Sequence, residues 1–460
     1  MDASASSPTA SRPQRGDLLD LRVGSLAHGG AGVARTDGGY VVFVRGAMPG
    51  DEVRAQITKR KRAYAEARTV ALLTPSPARI PPRADHPGAP WQVLPYERQL
   101  EIKADQVDDA LRRIGRLDGF ELEPIAPAVE EWRYRNKLEY SFGTGDDGRL
   151  VCGFHAPGSW ERIEALDDCL LASERGNATR EAALAWCRDR GLSAYDRRAA
   201  TGLLRNLVVR EGRRTGDLQV RLVTSDEAVD LDGFAEATGA DSVLWTRAEG
   251  VGETTAGGRT EVLQGTQFIE EEVALGGGER LRFRLSAEAF FQTNTEMAER
   301  LYGTAVEFAG LQGWERVYDL FCGIGTIGLS LARRAGEVWG LEIVEEAIAD
   351  AIQNARANEI SNARFFAGDV RLALRDLVEQ AGRPDVLVVD PPRAGLSAKI
   401  VRRVAEAAPK RIVYVSCNPT TLAPNAAQLV EAGWALRRVR PVDMFPQTPH
   451  IECVALLERA

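Results

Sequence analysis

The sequence predicts a multidomain chain: a small N-terminal β-barrel, an α+β region in the middle, and a C-terminal α/β domain built on a parallel sheet. Three observations carry that prediction. The chain has 460 residues, room for about three domains at roughly 150 residues each. Its first 75 residues read as short strands broken by glycine and proline turns. Its last 160 alternate apolar strand-like runs with helical segments.

Composition places the chain among folded proteins without a membrane span. It is 44% hydrophobic and 27% charged, too apolar for a disordered chain. No apolar run approaches the roughly 18 residues of a spanning helix, so no membrane partner is expected. The opening MDASASSPTASRPQRGD has no apolar core and reads as a solvated tail, residues 1–15, rather than a secretory leader. Six cysteines in so long a chain form no disulfide framework, and a reducing cytoplasm is the expected location. Net charge is −8, but residues 16–74 carry +3 and the remainder −11. A basic module on an acidic body marks those residues as a contact surface for a polyanion.

Taken in order, LLDLRVGSLAHGG, GGYVVFVRGAMPGDEVRAQI and KRKRAYAEARTVALL give about five strands over residues 16–74. That is the pattern of a small barrel of the oligonucleotide-binding kind. Lys59, Arg60, Lys61 and Arg62 are expected on its last connection, followed by Tyr64 as a stacking ring for a base, or else a solvated charge run with a core tyrosine. TPSPARIPPRADHPGAP is too rich in proline for regular structure. YERQLEIKADQVDDALRRIGRL then repeats at helical spacing. Within the central region, residues 75–285, NLVVREG and GDLQVRLVT read as adjacent strands, and REAALAWCRDRG as a helix closed by Gly191. Residues 286–460 form the last domain.

In an open parallel sheet, ligands bind outside the carboxyl ends of the strands, so the residue after each apolar run is the informative one. The first run ends in DLFCGIGTIG (319–328), where Gly323, Gly325 and Gly328 permit a tight turn and close approach to a ligand, with Phe321 inside that turn. The second ends at Glu342, where a carboxylate meets a ribose diol. The third ends at Asp369, placed to accept from an adenine amino group. The fourth ends in Asp390-Pro391-Pro392-Arg393, whose prolines fix an extended backbone and hold Asp390 at the rim. The fifth ends in Ser416-Cys417-Asn418-Pro419. A cysteine leaving a buried strand toward that rim is a candidate nucleophile, whereas Cys322 and Cys453 read as packing. His450 is read as a structural donor, and Glu452 opens the last strand.

DLFCGIGTIGL, with Glu342 and Asp369 in step, resembles the S-adenosylmethionine site of a class I, Rossmann-like methyltransferase. Asp319 suits the cationic amino-acid end of that cofactor. Together with FFQTN (290–294), DPPRAGL (390–396), YVSCNPTTLA (414–423) and DMFPQTPHIE (443–452), the chain resembles the bacterial RNA 5-methyluridine methyltransferases, and the barrel is similar to their TRAM domain. The resemblance implies that Cys417 adds to carbon 6 of uracil and that Glu452 is the general base. It implies that Asp390 and Gln292 hold the base beside the cofactor, and that the target nucleotide is flipped out of a structured rRNA or tRNA. Two departures stand out. Family members with a four-iron cluster use four cysteines, but Ile80, His86 and Ala89 fall near three of those positions and only Cys169 remains, so no iron–sulfur cluster or other metal is expected. Pro424 and Asn425 replace the usual Arg-Asp after TLA, which is expected to alter support of the catalytic loop. A monomer is the expected state. The alternatives are cytosine-C5 methylation, disfavoured because no second cysteine follows Asp390-Pro391-Pro392, and a non-catalytic RNA-binding protein.

Overall fold

A computed structural model describes residues 12–250, 252, 255 and 257–460. The expected tail therefore lies outside the described residues up to residue 11. Within residues 12–15 the chain is already tied to the barrel: Arg60 donates to Gln14 (2.9 Å), a turn follows at Arg15–Gly16, and the amide of Gly16 donates to the carbonyl of Ile57 (2.9 Å). The chain divides into two compact units. One comprises residues up to Asp85 with Pro90–Gln106 and Pro446–His450; the other comprises His86–Ala89, Val107–Phe445 and Ile451–Ala460.

In the first unit, β1 (Leu18–Leu26), β2 (Gly32–Arg35), β3 (Val41–Arg45), β4 (Glu52–Arg60) and β5 (Tyr64–Thr74) close into a barrel in the order β1-β2-β3-β5-β4. Alternation explains the closure. Val42 and Val44, Val53, Ala55 and Ile57, and Ala65 and Ala67 point inward, and such small side chains fill a narrow interior. The basic run differs from expectation. Lys59 and Arg60 belong to β4, and only Lys61 and Arg62 lie in the turn, which the amide of Lys61 closes on the carbonyl of Tyr64 (2.8 Å). Tyr64 is half-buried and packs edge-on against Phe43 with ring centroids 5.3 Å apart. Helix α1 (Tyr96–Asp109) follows the proline-rich segment.

The second unit holds two sheets and a hairpin. A short strand β6 (Glu121–Leu122) precedes β7 (Lys137–Thr144), β8 (Leu150–His155), β9 (Ile163–Ala165), β10 (Leu204–Glu211), β11 (Leu218–Thr224), β12 (Ser242–Arg247) and β13 (Arg259–Gln264). The latter seven form one sheet in the order β13-β12-β11-β10-β7-β8-β9, with helices α2 (Glu174–Asp189) and α3 (Phe234–Thr238) sharing its core. The expected adjacent strands are β10 and β11, paired antiparallel. The expected helix α2 starts earlier, because Ser173 caps it by accepting from the amide of Gly176 (2.8 Å). At the end of the stretch expected to be the central region lies a hairpin, β14 (Phe268–Ala274) and β15 (Arg280–Ser286). Its apolar face (Ile269, Val273, Leu281, Phe283) shares a core with the C-terminal layers.

Those layers are helix α4 (Thr295–Ala309), then β16 (Arg316–Leu320), α5 (Thr326–Ala332), β17 (Glu337–Glu342), α6 (Glu345–Ala357), β18 (Ala363–Ala367), α7 (Val370–Ala381), β19 (Val386–Val389), α8 (Ala398–Ala407), β20 (Arg411–Ser416), α9 (Pro419–Glu431), β21 (Trp434–Val442) and β22 (Glu452–Arg459). The sheet order is β18-β17-β16-β19-β20-β22-β21-β6, parallel from β18 through β20, with β22 antiparallel to both its neighbours. Helices cover both faces, so Val317, Val388 and Val413 enter one core while Tyr318, Leu387 and Ile412 enter the other. Strand order, not strand direction, reverses between β16 and β19: the sheet grows one way from β16 to β18 and the other way from β19 onward, which opens a crevice at their carboxyl ends. Among the described residues no helix is long and apolar enough to cross a membrane.

Candidate active site

Two neighbouring strand ends build the floor of that crevice. Asp319, on β16, is fully buried, and its Oδ2 accepts from the amide of Gly328 (2.7 Å). A Cβ at position 328 would stand 2.8 Å from that oxygen, so glycine there is what lets α5 approach the carboxylate. Gly325 combines a left-handed φ of 84° with a wall, Phe365, that any Cβ would meet at 3.0 Å. The other oxygen of Asp319, Oδ1, is buried with no hydrogen-bond partner. Burial, with the charges of Asp390 and Glu342 nearby, pushes this carboxyl up to about 8 against the pull of the Gly328 amide. A buried carboxylate oxygen left open is costly, and it suits a cationic ligand group.

The second cluster comes from register. Ser416 on β20 lies opposite Cys453 on antiparallel β22, so the next pair outward is Cys417 and Glu452. Cys417 is half-buried; Glu452 is buried at 3% exposure. Burial first, then the charges of Glu452 and Asp390, raise the Cys417 thiol to about 11, while Arg393 pulls it down. Burial likewise pushes Asp390 up to about 7 and holds Glu452 well above the usual carboxylate range. Asp390 is thus half-neutral near pH 7, beside a thiol whose ionisation depends on the charges of Glu452 and Asp390.

The loops carrying Asp390 and Cys417 are tied together. The carbonyl of Arg393 accepts from Asn418 Nδ2 (3.1 Å) and Thr421 Oγ1 (3.3 Å), and Asn418 caps α9 through the amide of Thr420 (3.0 Å). Asn425, one of the two departures after TLA, supports the loop. Its Oδ1 accepts from the amide of Leu396 (2.7 Å) and the hydroxyl of Tyr414 (3.0 Å), and its Nδ2 donates to the carbonyl of Leu396 (2.9 Å). Asn425 thus clamps Leu396 and Tyr414, with Pro424 inside α9. Asn425→Ala leaves both Leu396 groups unsatisfied in a buried setting. The variant is expected to lose about 2–3 kcal/mol of stability in urea unfolding.

The remaining expected residues are placed as follows. A small cavity gathers Asp319, Phe321, Gly323 and Asp390 with Phe290, Phe291, Tyr302, Cys322 and Thr326. Phe321 takes a left-handed φ of 63°. Glu342 reaches the same turn, accepting from the amide of Gly323 (3.2 Å), and also accepts from Ile343 (2.7 Å) and Val344 (3.1 Å). Asp369 caps α7 through the amide of Arg371 (2.7 Å) and pairs with its guanidinium (3.2 Å). Gln292 is buried just before α4, its carbonyl accepting from Asn136 Nδ2 (2.9 Å). Sequence reasoning missed Tyr302, which sits on the buried face of an ordinary amphipathic helix. It also gave Arg393 no role, although DPPR carried the signal. Among the described residues no group of three or more His, Cys, Asp and Glu side chains is arranged to hold a metal ion. Cys169 is fully buried in the central core.

A doubly wound sheet with a glycine turn over a buried acid and a strand-end cysteine beside it defines a class I methyltransferase. Residues 254–460 match the family described as tRNA (Uracil-5-)-methyltransferase, and residues 12–70 match the TRAM domain. An uncharacterized RNA methyltransferase of Bacteroides thetaiotaomicron is 40% identical across 94% of this chain and 100% of its own length. Another, from Halalkalibacterium halodurans, is 37% identical across 96% of this chain and 97% of its own. Among solved structures, Pyrococcus abyssi tRNA (uracil-54, C5)-methyltransferase in complex with S-adenosyl-L-homocysteine is similar with a TM-score of 0.78 and 28% identity, covering 95% of this chain and 99% of that one. The chain belongs to the tRNA (uracil-5-)-methyltransferase family of RNA methyltransferases, with an N-terminal TRAM domain.

Proposed function

We propose that the protein methylates carbon 5 of a uridine in structured rRNA or tRNA, using S-adenosylmethionine and a covalent bond from Cys417 to carbon 6. The observation that carries this reading is the facing pair Cys417 and Glu452 at the joined ends of β20 and β22, with Asp390 beside them. Binding alone would need neither group.

The residues fit the cofactor. The open Oδ1 of Asp319 suits its ammonium group, and Glu342 its ribose. When bound, S-adenosylmethionine supplies an electrophilic methyl group. The rest falls to this chain. Cys417, partly open to solvent, gives its proton to water, and its sulfur bonds to carbon 6, moving the 5,6 electron pair into an enolate at oxygen 4. Asp390, half-protonated near pH 7, donates a hydrogen bond to that developing charge. Carbon 5, once methylated, gives its proton to ionised Glu452, and the returning electrons expel Cys417. Lys59, Arg60, Lys61 and Arg62, all exposed, serve as phosphate contacts on the barrel.

Asp319 yields a pH prediction. Its folded value, about 8, lies above the ordinary 3.8. Its neutral form therefore stabilises the cofactor-free fold most at low pH, and that contribution fades as pH rises toward 8. Binding a cation favours the ionised form. Cofactor affinity is therefore expected to tighten by up to about tenfold per unit as pH rises to 8, then level off, with a proton released below 8. Calorimetry in buffers of different ionisation enthalpy reads both; Asp319→Asn should flatten the profile. The reaction itself is tested by incubating the enzyme with labelled cofactor and RNA lacking the modification, then analysing nucleosides by mass spectrometry. 5-Methyluridine is the expected product, and 5-methylcytidine would overturn the assignment.

A further inference from the structure

The second unit contains a larger cavity, about 470 Å³, lined by Arg135, Lys137, Arg210, Phe290 and Phe291 among others. Phe290 and Phe291 also line the small cavity around Asp319 and Asp390, so the two share a wall. Phe290 is 68% exposed, unusual for so large an apolar ring.

The charges in this cavity are arranged against stability. Lys137 on β7 and Arg210 on β10 are direct cross-strand partners, and like charges placed opposite one another destabilise a sheet. Arg210 is 3% exposed, donates to the carbonyls of Ser286 (2.8 Å) and Ala289 (2.5 Å), and is pushed down to about 10 by burial and by Arg221. Arg135 lies 5.2 Å over the ring of Phe445, and its Nε is buried without a hydrogen-bond partner. One carboxylate in the lining, Glu139, offsets them, 2.7 Å from Lys137. Cations crowded beside a cavity, and only partly neutralised, are poised for an anion.

We propose that this cavity is an RNA subsite for the nucleotide adjoining the target uridine: Arg135 and Lys137 bind its phosphate, and Phe290 gives its base a stacking surface on the wall shared with the catalytic pocket. The inference rests on the RNA substrate assigned above. Arg210 acts as a positioning residue, holding the Ala289 carbonyl and so the ring that follows.

The test measures binding of a short labelled oligouridylate at several salt concentrations, without cofactor, so that failure of catalysis and failure of this subsite are distinguishable. Lys137→Met is expected to weaken binding about 5–10-fold and to make the salt slope shallower by about 0.7, the contribution of one phosphate contact on a single strand. Lys137→Arg should restore both. Phe290→Ala should weaken binding about tenfold with the slope unchanged. An unchanged affinity and slope in Lys137→Met would overturn the subsite. So would a weakened binding that Lys137→Arg fails to restore. RNA that binds with the expected slope but is never methylated would leave the subsite standing and remove the reaction.

Discussion

Cys417→Ala is expected to lower methyl transfer by about 10⁴-fold or more while leaving cofactor and RNA affinity within about twofold. Carbon 5 of uracil is too weak a nucleophile to attack a sulfonium methyl until something adds at carbon 6, and no neighbour can stand in. Ser416 is 3% exposed, with its hydroxyl already donating to the carbonyl of Asn418 (3.1 Å). Cys453 is fully buried in the sheet core. Single-turnover transfer from labelled cofactor measures the loss. A variant retaining more than about a tenth of the rate would remove Cys417 from the chemistry.

Glu452→Gln is expected to produce a different failure. Addition and methyl transfer need no base at carbon 5, but elimination does, so the variant should turn over about 10²–10⁴-fold more slowly. It should also accumulate protein bound covalently to RNA, visible as a slower band in a denaturing gel. The same substitution removes a negative charge that raises the thiol. Alkylation of Cys417 by iodoacetamide should therefore rise with pH to a midpoint near 11 in the native enzyme and at a lower pH in the variant. A midpoint at or above the native one would mean that the Glu452 charge does not act on Cys417. Loss of methylation with no adduct would assign Glu452 to a step before addition.

The parts legible in the sequence are those whose signal is local. Strands such as VLVV (386–389) and RIVYVS (411–416) are buried on both faces and read as unbroken apolar runs, so their ends could be located to the residue. The glycine turn after Asp319 and the cysteine after Ser416 follow from those ends. The rest depends on contacts between distant residues. Asn425 supports Leu396 from 29 positions away, and in the sequence it was only a departure from a pattern. Lys137 and Arg210 meet through strand register, which no local pattern discloses. Lys59 and Arg60 were expected in a connection because charge resembles a loop, yet β4 continues through them, both exposed at its end. The hairpin β14–β15 alternates like the central strands, and only its partners show which core it joins. Tyr302, on the inner face of α4, looks like any core aromatic until the strand ends converge on it.

The covalent step is tested most directly with RNA in which the target uridine carries fluorine at carbon 5. Addition of Cys417 and methyl transfer can proceed, but no proton remains at carbon 5 for Glu452 to remove, so the enzyme should stop with the nucleotide attached. After nuclease and trypsin digestion, mass spectrometry should find a methylated fluorouridine nucleotide on the peptide containing Cys417, and none in Cys417→Ala. An enzyme that forms 5-methyluridine in ordinary RNA yet leaves Cys417 unmodified in this experiment would contradict the nucleophile and the mechanism built on it.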